Sequence, residues 1–303
     1  MLARASDRTL GVVAVAIATC IWATGTVIVK WSSLPGVQFA MFRLWAGAVI
    51  SAAALLLTRR RLPLATFKAC ALGGVLFSLD IALHFSAVKR TSVANVAVIG
   101  SLAPVVIAII SVKMLHERVA RRDAILAAVA FAGVLVVAIG TSDSAGASLG
   151  GDLLAACNIV SWSAYWFFSR RARARTGPIE YLACVMIAGA LFLTPVAIAL
   201  EGMPSMPSGA DLAAVWAVAL FPGFIGHSLV IWSHAHVESW RSALITQATP
   251  VIATILAFVF LDEPIPAVVA IGGALVVSCT AAVIVHAARR EPEVVEASVE
   301  SPG

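Results

Sequence analysis

The sequence predicts an all-α integral membrane protein, with ten transmembrane helices built as two inverted five-helix repeats. Three observations carry that expectation. First, 61% of the 303 residues are hydrophobic and only 12% are charged, about half the roughly 25% charge of a soluble domain. Mean hydropathy is +0.98. Second, the apolar residues fall in ten continuous runs, each near the ~20 residues that cross about 30 Å of hydrocarbon. Third, one stretch occurs twice. Leu102–Glu117 (LAPVVIAIISVKMLHE) returns 146 residues later as Ala248–Glu263 (ATPVIATILAFVFLDE), each with a proline (Pro104, Pro250) thirteen residues before a glutamate (Glu117, Glu263). A repeat of about half the chain means two halves built to one plan.

In chain order the runs cover residues 10–31, 36–57, 66–88, 92–115 and 122–140, then 151–169, 178–200, 211–236, 241–261 and 266–287. They show no in/out alternation, so helices are expected rather than barrel strands. Lys and Arg orient the bundle. Seventeen lie in the termini and the even-to-odd connections, Arg59, Arg60, Arg61 and Arg170, Arg171 among them. Only Lys30, Lys89 and Arg90 lie on the other side, and Arg43 lies inside a run. Both termini are therefore expected in the cytoplasm.

Five helices per half is an odd number, so the second half enters the bilayer from the opposite face. This is the inverted-repeat plan of many secondary transporters. The expected units are a first repeat over 9–140, a second over 151–287 and a disordered acidic tail over 288–303, with 141–151 as an external polar linker.

Ten runs in two halves, each with a proline-to-glutamate fourth helix, resemble the drug/metabolite transporter superfamily of EamA type. The likeness covers about residues 9–287. Trp22 and Trp162 add to it, each eleven residues after a glycine (Gly11, Gly151) and aligned at an offset of 140, as does Ser86-Ala-Val-Lys-Arg-Thr-Ser-Val-Ala94 between the third and fourth helices. Through Trp162, Tyr165, Trp166 and His84 the chain looks most like the bacterial aromatic amino-acid exporter branch. That resemblance implies a multi-pass protein of the bacterial inner membrane that exports aromatic and other neutral amino acids. An exporter of drugs or other small metabolites on the same fold is the alternative.

Polar side chains inside a bilayer face protein or a watery cavity, so polar stripes trace the pathway. Asn158, Ser161, Trp162, Tyr165 and Ser169 share one face of the sixth helix, and Thr19, Trp22, Thr26 and Lys30 share one face of the first. Trp22 and Trp162 lie near mid-span, where inverted-repeat transporters bind substrate. They read either as stacking surfaces for a substrate or as packing between helices. Asp80 and His84 sit one turn apart in the third helix, and His84 is the expected polar contact to substrate in the first half. Arg43 and Asp80 lie at matched depth, which points to a structural ion pair, with direct substrate contact as the other reading. The expected substrate-binding set is thus Trp22, His84, Asn158, Ser161, Trp162 and Tyr165. Arg43, Asp80, Pro104, Pro250, Glu117 and Glu263 are expected in structural or gating roles, the prolines as kinks and the glutamates as pins at helix ends.

The motifs exclude several classes. His116-Glu117-Arg118 lacks the second histidine of a zinc helix, and His234 and His236 point about 200° apart. The five cysteines lie singly in apolar runs. No phosphate-binding lysine loop or serine elbow is present. The expectation is a transporter and not an enzyme, with no cofactor and no metal, no nucleic-acid partner, an amino acid as substrate and the bilayer as solvent. Ten spans suffice for a pathway within a monomer. An intramembrane enzyme is the class alternative, for which only Asp80 and His84 could serve.

Overall fold

The computed structural model describes residues 2–103, 105–106, 121–140, 148–173, 176–233, 245–246 and 248–299. Among them there are helices and no strands. The helices are α1 (Leu2–Trp31), α2 (Gly36–Leu57), α3 (Leu64–Arg90), α4 (Val93–Gly100), α5 (Arg121–Gly140), α6 (Leu149–Arg173), α7 (Pro178–Glu201) and α8 (Gly209–Val218). A π-helical segment, Ala219–Gly226, leads into α9 (His227–Ser233), followed by α10 (Ala248–Leu261) and α11 (Ala267–Val299). Each apolar run expected from the sequence contains one helix, or in the eighth run a helix interrupted by the π turn. Pro104, Glu117 and the 141–147 part of the linker lie outside the described residues.

The sequence sets the helix ends. Pro35 and Pro63 precede α2 and α3, Pro178 opens α7, and Ser92 and Ser208 cap α4 and α8 by accepting the Asn95 and Asp211 N–H groups at 3.1 Å. Gly202, with φ +82, closes α7. Asp262 takes a left-handed conformation with φ +53 after α10, which aspartate tolerates better than most residues. Pro250 lies in α10, and Ile245 and Thr246 upstream of it are helical as well. The helical break lies at Pro222, inside the π-helical segment. The tail expected to be disordered is helical as far as Val299, because it extends a helix already nucleated upstream.

Thr9–Trp31, α2, α3, α7 and Gly209–Val230 are long and apolar enough to cross a membrane; α5, α10 and α11 carry shorter apolar stretches. Large apolar side chains such as Leu56, Leu57, Ile139, Phe260 and Ile271 point outward, as lipid-facing residues must. Small residues let helices approach closely. A Cβ on Gly74 would meet the Gly189 backbone nitrogen at 2.9 Å, which fixes how α3 crosses α7.

The packing follows the repeat. Helix α3 lies along α6, and α1 lies along the π-helical segment and α9 in the corresponding way. Helices α2 and α7 pack together, as do α5 and α11, each pair being its own mate under a two-fold relation. This is the two-halved arrangement expected from the repeat, with the first helices of the two halves on opposite sides of a shared centre.

Candidate functional site

The shared centre holds a cavity of about 310 Å³, lined from α1 by Trp22, Gly25 and Thr26 and from α3 by Phe77, Asp80 and His84. Arg43 of α2, Asn158 and Trp162 of α6, Pro222 and His227 beyond α8, and Thr249 of α10 also line it, with small and apolar residues between them. Every helix named here reaches it for a local reason. Periodicity turns the polar stripes of α1 and α6 inward, and the π turn pushes Pro222 and His227 towards α1. A second hollow, about 340 Å³, lies between α1 and α10 near Trp31 and Phe260. It is almost wholly apolar and holds none of the expected polar groups.

One side of the cavity is aromatic. The Trp22 ring lies 5.2 Å from His227, and its indole N–H donates to the Pro222 carbonyl at 3.1 Å. His227 Nδ1 lies 2.9 Å from the same carbonyl. A carbonyl in a π-helical turn is easily reached from the side, and these two rings hold it. Trp162 packs at 5.7 Å against Tyr165.

The other side is charged. Asp80, 6% exposed, accepts from Asn158 Nδ2 at 2.5 Å, and the same amide also reaches the Asp80 backbone carbonyl at 2.9 Å. Arg43, 4% exposed, rests with its guanidinium carbon 5.1 Å above the Phe77 ring centroid. Its Nη1 lies 3.9 Å from Met186 Sδ, and its Nε has no hydrogen-bond partner. The direct Arg43–Asp80 ion pair expected from matched depth is not formed: among the described residues ion pairs join only Lys30 to Glu263 and Arg60 to Glu180. Asn158 has taken the carboxylate, and Phe77 has taken the guanidinium. Both charged groups nonetheless face one cavity.

Of the expected binding residues, Trp22, His84, Asn158 and Trp162 come together on the cavity wall. Two do not. The Ser161 hydroxyl donates to the Leu76 carbonyl at 3.2 Å and joins α6 to α3. Tyr165 stacks behind Phe77 at 4.9 Å. Both lie on the inward face, yet α3 packs so tightly along α6 that it covers them. Sequence reasoning missed Phe77, Pro222 and His227. A signal for His227 existed: displaced by the repeat offset of 146, it falls on Ile81, between Asp80 and His84.

The helix ends farthest from the two termini, here the distal end, are tied by a polar network. Asp211 accepts from Ser32 Oγ at 2.7 Å, Ser33 N at 2.9 Å, Ser33 Oγ at 2.6 Å and Ser208 Oγ at 2.8 Å. Asp152 accepts from Thr91 Oγ1 at 2.7 Å and Asn95 Nδ2 at 3.2 Å. Glu201 accepts the Val37 and Gln38 N–H groups at the start of α2, at 3.1 and 2.7 Å. Glu263 pairs with Lys30 at 3.4 Å and accepts the Val93 N–H at 2.8 Å. Lys89 donates to the Ser32 carbonyl. Asn95, near the fourth-helix proline, thus belongs to this network.

A profile of the EamA-like transporter family matches residues 9–139 and again 149–285. The chain belongs to the EamA-like transporter family. That family is one of transporters within the drug/metabolite superfamily, and the two matches are the two halves around the cavity. Among relatives of this EamA-like protein is a probable terminal-alkyne amino-acid exporter of Streptantibioticus cattleyicolor, 29% identical over 178 residues, 58% of each chain. The uncharacterized transporter YyaM of Bacillus subtilis is 28% identical over 207 residues, 65% of this chain and 66% of that one. The matched region thus spans under two thirds of these relatives' lengths. A solved crystal structure at 24% identity superposes with a TM-score of 0.61 over 94% of this chain and 98% of that one, which shows the same fold.

Proposed function

We propose that the protein exports amino acids, aromatic and other neutral ones, from the bacterial cytoplasm across the inner membrane by alternating access. The observation that supports this best is the cavity between the two halves, walled by the repeat-related Trp22 and Trp162 and by buried polar groups. Indole faces suit aromatic and aliphatic side chains. A cavity at the junction of two inverted halves is reached from either side when one half rocks against the other. The amino-acid exporter among the relatives leans the same way. Drugs or other small metabolites are the competing cargo.

The tied distal end acts as the closed gate in this reading, and the excess of Lys and Arg at the other end supports a cytoplasmic position for both termini. Ten spans in two halves suffice to enclose a pathway, which supports a monomer as the transporting unit. The test is exchange of labelled L-phenylalanine and L-threonine in proteoliposomes, with and without a pH gradient. Saturable exchange that favours phenylalanine is the expected result; dependence on the gradient would add proton coupling. Exchange of neither amino acid, with drug efflux retained, would replace this reading by the alternative.

A further inference from the structure

The transport reading leaves Arg43 unexplained. The residue lies seven positions into α2, 4% exposed, and its side chain turns into the bundle rather than towards the membrane surface. A guanidinium offers five N–H donors and no acceptor. Here the contacts around it are a thioether sulfur at 3.9 Å and the face of Phe77 at 5.1 Å, and Nε is unpartnered. Gly223 lies so close that a Cβ there would meet Nη2 at 2.8 Å. The π-helical segment thus brings a residue without a side chain to the one place where any other would crowd the guanidinium. A buried guanidinium that no anion meets at hydrogen-bond distance is costly in a low-dielectric interior, and such an arrangement persists where a ligand supplies the direct partner. Asp80 lines the same cavity, held by Asn158; it acts on Arg43 electrostatically but forms no direct ion pair with it. An arginine and an aspartate that line one cavity of about 310 Å³ without pairing directly complement a molecule with both charges close together.

The geometry points to Arg43 as the anchor for the substrate's carboxylate and Asp80, oriented by Asn158, as the acceptor for its ammonium group, so that the site selects free zwitterionic α-amino acids. This rests on the cavity being the transport site. A planar guanidinium takes a carboxylate through two parallel N–H···O bonds. The amino acid's side chain then lies between the Trp22 and Trp162 rings, which set the preference for aromatic substrates without taking part in charge recognition. Amines lacking a carboxylate, and carboxylates lacking an amine, each leave one buried charge unmatched and are rejected.

The test is exchange of labelled L-phenylalanine in proteoliposomes containing the full chain, competed by unlabelled L-phenylalanine, L-phenylalaninamide or 3-phenylpropanoate. The amide and the propanoate should each compete roughly thirtyfold or more weakly than phenylalanine, since each leaves a buried charge without its partner. Arg43→Gln should abolish discrimination against the amide, Arg43→Lys should restore part of it, and Asp80→Asn should abolish discrimination against the propanoate. The wild-type series decides the matter even if a variant fails to fold. Competition by the amide equal to that of phenylalanine, in protein that exchanges phenylalanine, would overturn the anchor and leave the transport reading standing. Absence of any amino-acid exchange by the wild type would overturn the transport reading itself.

Discussion

The distal network and the central cavity hold the same kinds of polar group and treat them in opposite ways. At the distal end Asp211 accepts four hydrogen bonds between 2.6 and 2.9 Å, Glu201 and Asp152 each accept at least two, and Glu263 accepts one and pairs with Lys30. In the cavity Arg43 meets a sulfur and a ring face. A buried carboxylate with its acceptors filled is part of the structure; a buried guanidinium with donors unfilled is waiting for a ligand. The difference teaches that depth in the membrane does not by itself mark function. What marks it is whether the protein has satisfied the group it buries.

Variants can break this comparison, and the largest effect is expected at Asp211. Asp211→Ala strands the Ser32, Ser33 and Ser208 donors and removes a link between α1 and α8. It should destabilise the purified protein by about 3 kcal/mol, read as a clear fall in thermal unfolding temperature in detergent, with the substrate preference of the surviving fraction unchanged. Arg43→Met is the counterpart. Removing an unsatisfied buried charge for an apolar side chain of similar length should leave stability unchanged or raise it by about 1 kcal/mol or more, while exchange of amino acids is lost. Destabilisation equal to that of Asp211→Ala would place Arg43 with the structural groups.

The smallest effect is expected from the aromatic wall. Trp162→Ala should weaken phenylalanine relative to threonine by about 0.5–1.5 kcal/mol, a two- to twelvefold change in the ratio of half-saturation concentrations. Trp22→Phe keeps a ring but loses the N–H that holds the Pro222 carbonyl. It should slow exchange of every substrate alike, because it loosens the π-helical segment rather than the stacking surface. Equal loss for both amino acids in Trp162→Ala would make that ring a packing residue.

Much of the fold was legible because the bilayer simplifies the code. Apolar length marks a span, Pro and Gly mark its ends, and the Leu102–Glu117 repeat marks the symmetry. The polar stripe of α6 was legible as a face, and that face does turn inward. Its finer division was not. Asn158 and Trp162 reach the cavity while Ser161 and Tyr165 are covered, and this depends on how closely α3 packs, which Gly74 against Gly189 and the neighbouring helices decide. Matched depth brought Arg43 and Asp80 to one cavity, but depth says nothing of rotation about a helix axis. Phe77, one turn before Asp80, lies beneath the guanidinium, and Asn158 from the other half takes the carboxylate. The π turn at Pro222 was readable only as a bend, since Pro and Gly signal a break without its geometry.

The central claim is that the amino acid occupies the cavity between the two halves. A cysteine placed at Thr26, on the cavity wall, in a background with the five native cysteines replaced, reports this directly through its rate of reaction with a small maleimide. A second cysteine at Met206, in the exposed stretch before α8, serves as the reference. Saturating L-phenylalanine should slow labelling at position 26 severalfold, with the same half-saturation as exchange, and should leave position 206 unchanged. An unchanged rate at position 26 in protein that still exchanges phenylalanine would place the substrate elsewhere and contradict the account.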